Sequence, residues 1–236
     1  MDQYFIWNNS VIKFLIVNGE NMNRYDELIR LSLEWNEKIN ITAITDPDEF
    51  LEKNIMDSLA IVGSDVIERA ERIMDLGTGG GYPGLPLAMN YPDKDFVLVD
   101  SVSKKLKVID DICERLAIKN VKTIHGRVED LGREKDLREG FDLVVSRAVA
   151  NMSTLAEYAL PFVKIGGCFA AYKTENAMEE ISAANKAIEK LGGKLKRIDR
   201  VGVKNSGHLI VIVDKSVETP RVFPRKPGEA KKNPII

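Results

Sequence analysis

Histidine and cysteine are almost missing from this 236-residue chain, which holds two of each. Cys113 and Cys168 fall on a predicted helix and a predicted strand, so reduced, buried thiols are expected rather than a disulfide frame. His125 and His208 alone give no zinc-ligand spacing, and no structural metal is expected. Also missing are a basic, cleavable leader and any apolar run near the roughly 20 residues needed to span a bilayer. These absences predict a cytoplasmic protein with no membrane partner. Excess positive charge is lacking too: 34 lysines and arginines face 36 acidic residues, for a net charge of -2. Any contact with nucleic acid must therefore be concentrated in local patches.

What is present suffices for a core, with 44% hydrophobic and 30% charged residues. Residues 2–18 place Phe5, Ile6, Ile12, Leu15 and Ile16 at helical spacing, and residues 24–39 do so with Tyr25, Leu28, Ile29, Trp35 and Ile39. The period fails at 39–42, where Asn40 and Thr42 end the helix or hydrogen-bond outward. Asp46 then reads as an N-cap, with Pro47 at the first helical position and Glu49 placed to complete a capping box. The helix from 47 to about 62 turns Phe50, Ile55, Leu59 and Val62 toward a core.

From residue 72 the pattern changes. Short apolar runs at 72–76, 96–99, 121–124, 141–146 and 168–172 alternate with helical patterns at 84–90, 103–116, 152–163 and 175–191. Residues 195–203 and 208–214 read as an antiparallel hairpin joined through Lys204-Asn205-Ser206-Gly207. The expected fold is α/β, a mostly parallel seven-stranded sheet with helices on both faces and an N-terminal helical extension. Three units are expected: a helical subdomain at 1–70, the sheet domain at 71–214 and a basic, proline-rich tail at 215–236. The tail lacks the apolar content to order itself, so it drapes over the domain or an anionic partner, or serves only solubility.

The stretch from Asp75 to Leu87 organises the rest. Glycines at 77, 79, 80, 81 and 84 follow a strand and precede a helix, as in loops that cradle NAD, FAD or S-adenosylmethionine. Asp100 closes the second strand, where a carboxylate accepts from both hydroxyls of a ribose, or else caps the next helix. Val128 and Glu129 follow the third strand and present an adenine-binding edge or a plain acidic turn. Arg147 ends the fourth, to pair with Glu129 or Asp100, or to hold a cofactor carboxylate or a substrate phosphate. Tyr82 stands where a dinucleotide fingerprint has its third glycine. The Asp75–Gly81 pattern is instead that of class I S-adenosylmethionine-dependent methyltransferases.

Five stretches together resemble one family, the bacterial glucose-inhibited division B proteins: Trp35-Asn36 with Ile39-Asn40-Ile41-Thr42, Ile55-Met56-Asp57-Ser58-Leu59, Asp75 through Leu87, Leu98-Val99-Asp100-Ser101, and Val145-Ser146-Arg147-Ala148. The resemblance spans nearly the whole chain, and Pro224-Arg225-Lys226-Pro227-Gly228 is similar to the carboxyl end of Gram-positive members. It implies methylation of N7 of a guanine in 16S ribosomal RNA, guanine 527 in standard rRNA numbering. S-adenosylmethionine is the implied donor, with S-adenosylhomocysteine as product.

By position the resemblance implies cofactor contacts at Gly77, Tyr82, Val128, Glu129 and Arg147, to which the loop and ribose readings add Gly79, Gly81 and Asp100. Asn54 departs from the histidine usual in the family, which removes any role that needs an imidazole there. Guanine N7 attacks through an in-plane lone pair, so no acid/base residue is required. Arg147, Asn40, Asp57 and Lys173 are the positioning candidates, with Ser58 beside them. Tyr82 and Tyr172 offer stacking surfaces or simply fill the core, and Arg127, Lys173, Arg147 and the tail offer phosphate contacts. The partner implied is 16S rRNA or the small-subunit particle, met by a monomer. A small-molecule methyltransferase with the N-terminal helices as a lid, and a non-catalytic ribosome assembly protein, are the competing readings.

Overall fold

The structure, a computed structural model, describes residues 19–201 and 207–236. The helix expected at 2–18 and turn residues Lys204 to Ser206 lie outside the described residues. Helix α1 (Gly19–Asn36) leads into α2 (Pro47–Phe50), which continues through a π-helical turn (Leu51–Met56) and a 3-10 turn (Leu59–Ile61) to α3 (Asp65–Glu68). Asp46 caps α2 by accepting from the Glu49 N–H at 2.9 Å, while the Glu49 side chain turns to Lys53 instead of closing the box.

Then follow β1 (Arg72–Leu76), α4 (Gly84–Asn90), β2 (Asp95–Asp100), α5 (Ser103–Arg115), β3 (Val121–His125), α6 (Val128–Leu131), β4 (Phe141–Arg147), α7 (Met152–Ala159) and β5 (Val163–Thr174). The stretch expected as one helix at 175–191 is a 3-10 turn (Glu175–Ala177), α8 (Met178–Ala183) and α9 (Asn185–Lys190), before β6 (Gly193–Val201), β7 (His208–Lys215) and α10 (Glu229–Lys232). The seven strands lie in the order β3-β2-β1-β4-β5-β7-β6. The first five are mutually parallel, and β7 is inserted antiparallel between β5 and β6. This is the mostly parallel seven-stranded α/β sheet expected from the runs.

Side chains on a strand alternate faces, and here the alternation sorts two cores. Ile73, Leu98, Leu143, Val145 and Ile212 point to one face with Tyr25, Leu28, Phe50 and Ile55 of the N-terminal elements. Met74, Val97, Val144, Phe169 and Val211 point to the other, with Leu155, Ile188 and residues of the C-terminal segment. The described N-terminal helices thus share a core with the sheet itself.

The C-terminal segment is a docked strap. Phe223 and Ala230 are buried, and Arg225 binds Glu157 of α7 through both its backbone N–H at 2.8 Å and its guanidinium at 2.6 Å. Arg138 donates to the carbonyls of Thr219 and Phe223. Of the readings open for the tail, draping over the domain is the one observed.

Candidate active site

Parallel α/β sheets place ligands beyond the carboxyl ends of their strands, where loops leave backbone groups unpaired. Here the loop after β1 is shaped by Asp75, whose Oδ2 accepts from the Thr78 hydroxyl at 2.6 Å and the Gly84 N–H at 2.8 Å. Asp75 is fully buried and its Oδ1 has no hydrogen-bond partner among the described residues, so burial pushes its pKa up to about 6. A Cβ at Gly84 would lie 2.8 Å from Asp75 Oδ2 and from Leu98 Cγ, which explains glycine where α4 meets the strands.

Gly77, Gly79 and Gly81 all adopt positive φ, at 73°, 59° and 99°. A Cβ at Gly77 would strike Val149 at 2.5 Å, whereas one at Gly79 would meet nothing within 4 Å. The loop is packed on one side and open at Gly79. The Gly79 N–H donates to Asp100 Oδ2 at 2.9 Å, and Asp100 Oδ1 accepts from Val102 N–H at 2.8 Å. Asp100 therefore both starts the α5 turn and braces the loop, and its carboxylate keeps lone pairs for a ligand hydroxyl.

Arg147 stands on the face of the N-terminal helices, away from Glu129. Its Nη1 donates to the Lys53 carbonyl at 2.8 Å and to Asp57 Oδ2 at 3.0 Å, and its Nη2 donates to Asn54 Oδ1 at 2.7 Å. The expected pairing with Glu129 or Asp100 is corrected: the acceptors come from the π turn and the residue after it. His208 Nδ1, at the start of β7, lies 2.6 Å from Asp57 Oδ1, and that contact raises the His208 pKa above its ordinary value. Ser58 donates to the Asn54 carbonyl, and the Asn54 amide nitrogen is buried without a partner among the described residues.

Other candidates turn inward. The Tyr82 hydroxyl pairs with Ser32 at 2.7 Å and its ring meets Phe50 edge-on at 5.4 Å, so the ring is core. The Tyr172 hydroxyl donates to the Ser58 carbonyl at 2.7 Å, and this ring too is buried. Lys173 donates to the Ala150 carbonyl and Glu180, each at 2.7 Å, and so braces the turn after β4 rather than reaching out for phosphate. Asn40 is exposed without a side-chain hydrogen bond among the described residues. Asn36 holds that turn, its Oδ1 accepting from the N–H groups of Ile41 and Thr42. Ile41 packs 3.5 Å from where a Gly80 Cβ would lie, which lays this turn against the glycine loop. Glu129 is buried, and its Oε1 accepts the Gly228 N–H of the strap at 2.9 Å. Half-buried Val128 opens α6 at the end of β3, and Arg127 before it is exposed.

Gly77, Gly79, Asp100 and, through Asp75, the start of α4 are thus joined in one constellation, while Arg147, Asp57 and Asn54 form a second with His208. His208 was missed because a lone histidine beginning a strand carries no spacing signal. Asp75 was read only as part of the loop pattern, and its complete burial is visible only in the structure. Among the described residues no three or more His, Cys, Asp or Glu side chains converge to hold a metal, and no helix is long and apolar enough to cross a membrane.

The family model described as rRNA small subunit methyltransferase G (GidB) matches residues 18–210. The "Ribosomal RNA small subunit methyltransferase G" of Clostridium novyi is 45% identical over 221 residues, 93% of this chain and 91% of that one. Among solved structures, the fibrillarin pre-rRNA processing protein of Methanococcus jannaschii superposes with a TM-score of 0.53 at 15% identity, over 64% of this chain and 70% of that one. A Klebsiella pneumoniae chain assigned as an O-methyltransferase gives 0.56 at 16% identity, over 88% and 97%. These two likenesses concern the fold alone.

Proposed function

Because the chain belongs to the rRNA small subunit methyltransferase G family, we propose that it transfers a methyl group from S-adenosylmethionine to N7 of a guanine in 16S ribosomal RNA. The observation that carries this reading beyond family membership is the glycine loop. It is closed toward Val149 and open at Gly79, with the Asp100 carboxylate beside the opening. Such a cradle fits a nucleoside with a free ribose.

Gly77, Gly79, Gly81 and Tyr82 would hold the cofactor through the loop backbone, Asp100 through the ribose hydroxyls, and Val128 with Glu129 at the adenine edge. Glu129 acts there by shaping its turn, since its carboxylate is engaged by Gly228. Arg147 closes the other end of the site. When bound, the cofactor supplies an electrophilic methyl group on a sulfonium and leaves as S-adenosylhomocysteine. Guanine N7 needs no deprotonation, so no residue has to take a proton. The work of the chain is alignment, which contributes several kcal/mol to barrier lowering in well-oriented reactions. Asp57 and Arg147 supply it as a rigid pair: the guanidinium is fixed by three acceptors, and the carboxylate by Arg147 and His208. The same reading has a monomer acting in the cytoplasm, on naked RNA or on the small-subunit particle.

Labelled methyl transfer to 16S rRNA and to 30S particles from cells lacking the modification, with mass mapping, tests this. One methyl on one guanine N7 is expected. Label in a metabolite with none in RNA would overturn it, and cofactor binding with no transfer to either substrate would favour an assembly role.

A further inference from the structure

At the foot of the sheet, opposite the methyl-transfer rim, a cleft of about 560 Å³ opens between the α6–β4 connection and the start of the C-terminal strap. Arg133, Lys135, Arg138 and Arg221 line it, with Glu139 and Glu218. The charges do not balance. Glu139 already accepts from Lys215 Nζ at 3.0 Å and from Thr219 N–H at 2.7 Å. Arg138 is held by the neutral carbonyls of Gly132, Phe223 and Thr219, and Arg133 by that of Pro224. Carbonyls fix the direction of a guanidinium without cancelling its charge. Lys135 and Arg221 are exposed and make no hydrogen bond or ion pair among the described residues. Burial lowers the pKa of Arg138, and Arg221 and Arg133 add to this against Glu139 and Glu218. The cations crowd one another.

The rim offers a contrast. Its Arg147 and Lys173 are already neutralised by Asp57 and Glu180. A chain of net charge -2 that binds RNA must find its attraction in a local cluster, and this cleft supplies one preorganised by the strap. We propose that it holds backbone phosphates of the RNA, at a contact about 20 Å from the reacting base, the length of the seven-residue β4. This rests on the RNA-methyltransferase reading. Guanidinium pairs held in fixed directions suit phosphodiester oxygens, and the volume admits more than one phosphate.

The test uses the full chain with Lys135→Glu and Arg221→Glu together, and the milder Lys135→Gln with Arg221→Gln in case charge reversal disturbs folding. Binding to 16S rRNA is measured across a salt series, with S-adenosylmethionine affinity and thermal unfolding as controls. At least tenfold weaker RNA binding is expected, with the slope of log K against log salt shallower by about 2 and cofactor affinity unchanged. Lys135→Arg with Arg221→Lys should bind as the wild type does. Unchanged RNA affinity and slope in the charge variants, beside a wild type that binds and methylates RNA, would overturn the cleft alone. A wild type that binds RNA without methylating it would overturn the enzyme reading and leave the cleft standing. Pyrophosphate binding lost in the variants while RNA affinity holds would make this a small-anion site, and the RNA assignment would fall.

Discussion

A methyl group added at Gly77 and one added at Gly79 would meet opposite surroundings, the Val149 side chain in one case and open space in the other. Both positions carry positive φ, so alanine at either costs roughly 1–2 kcal/mol of backbone strain. Gly79→Ala should lose about that much stability and, beyond it, cofactor affinity, because its methyl enters the cradle. Gly77→Ala should lose more stability, because Val149 must move. Thermal unfolding with calorimetric titration of S-adenosylmethionine separates the two; equal effects on both readouts would mean that the opening at Gly79 is not the cofactor side. Arg147→Lys keeps the charge but gives up the fork that reaches the Lys53 carbonyl, Asn54 and Asp57 together. Methyl transfer should fall about tenfold, equivalent to ~1.4 kcal/mol, with far-ultraviolet circular dichroism unchanged. At this scale the sequence was only partly legible. That Arg147 closes a strand was readable, but its partners were not: pairing with Glu129 or Asp100 was expected, and the acceptors are Lys53, Asn54 and Asp57, on elements far away in the chain. The inward turn of Tyr82 was not readable, since it depends on Ser32 and Phe50, brought up by two helices whose packing no local spacing shows.

The strap shows how an element without its own core is ordered. Arg225 meets Glu157, which is 1% exposed, and the Gly228 N–H meets buried Glu129. Two buried acids on the domain thus wait for donors from the tail. Arg225→Ala removes the guanidinium and leaves buried Glu157 charged with only the backbone N–H of residue 225 as its donor from the strap, and should cost roughly 3 kcal/mol, read as a shift in the urea midpoint with little change in slope. The sequence showed the tail's positive charge but not its seat, because Glu129 and Glu157 look like ordinary helix-surface acids until burial is known. The strands were legible for the converse reason: runs such as Phe96-Val97-Leu98-Val99 are short, apolar and bounded by polar residues. β5 begins five residues before the expected 168, because Lys164 and the Gly166-Gly167 pair interrupt the apolar run there. The π turn at Leu51–Met56 left no mark in the residue pattern, yet it supplies two of Arg147's three acceptors.

Across the whole molecule, the Asp57 carboxylate joins the N-terminal helices to β4 through Arg147 and to β7 through His208. The hydrogen bond to Asp57 raises the His208 pKa, against burial and the nearby Arg147. The folded state therefore binds that proton more tightly than the unfolded chain does. This contribution to stability is complete below the ordinary value of 6.5 and is lost as pH rises through the higher folded value. In an NMR titration His208 should show a midpoint above 6.5, which drops in Asp57→Asn. A midpoint unmoved by that substitution would break the link between the two elements.

The place of β7 has a consequence for the order in which the protein can be finished. β6 leaves the ribosome first but has no partner of its own in the sheet, since β7 lies between it and β5. Fourteen residues separate the end of β6 from the end of β7, about one to three seconds of synthesis. During that interval the nascent chain exposes an unpaired strand edge on each side of a gap. The sheet closes only when β7 slides in between them, so β5 and β6 are joined by the strand that is made after both.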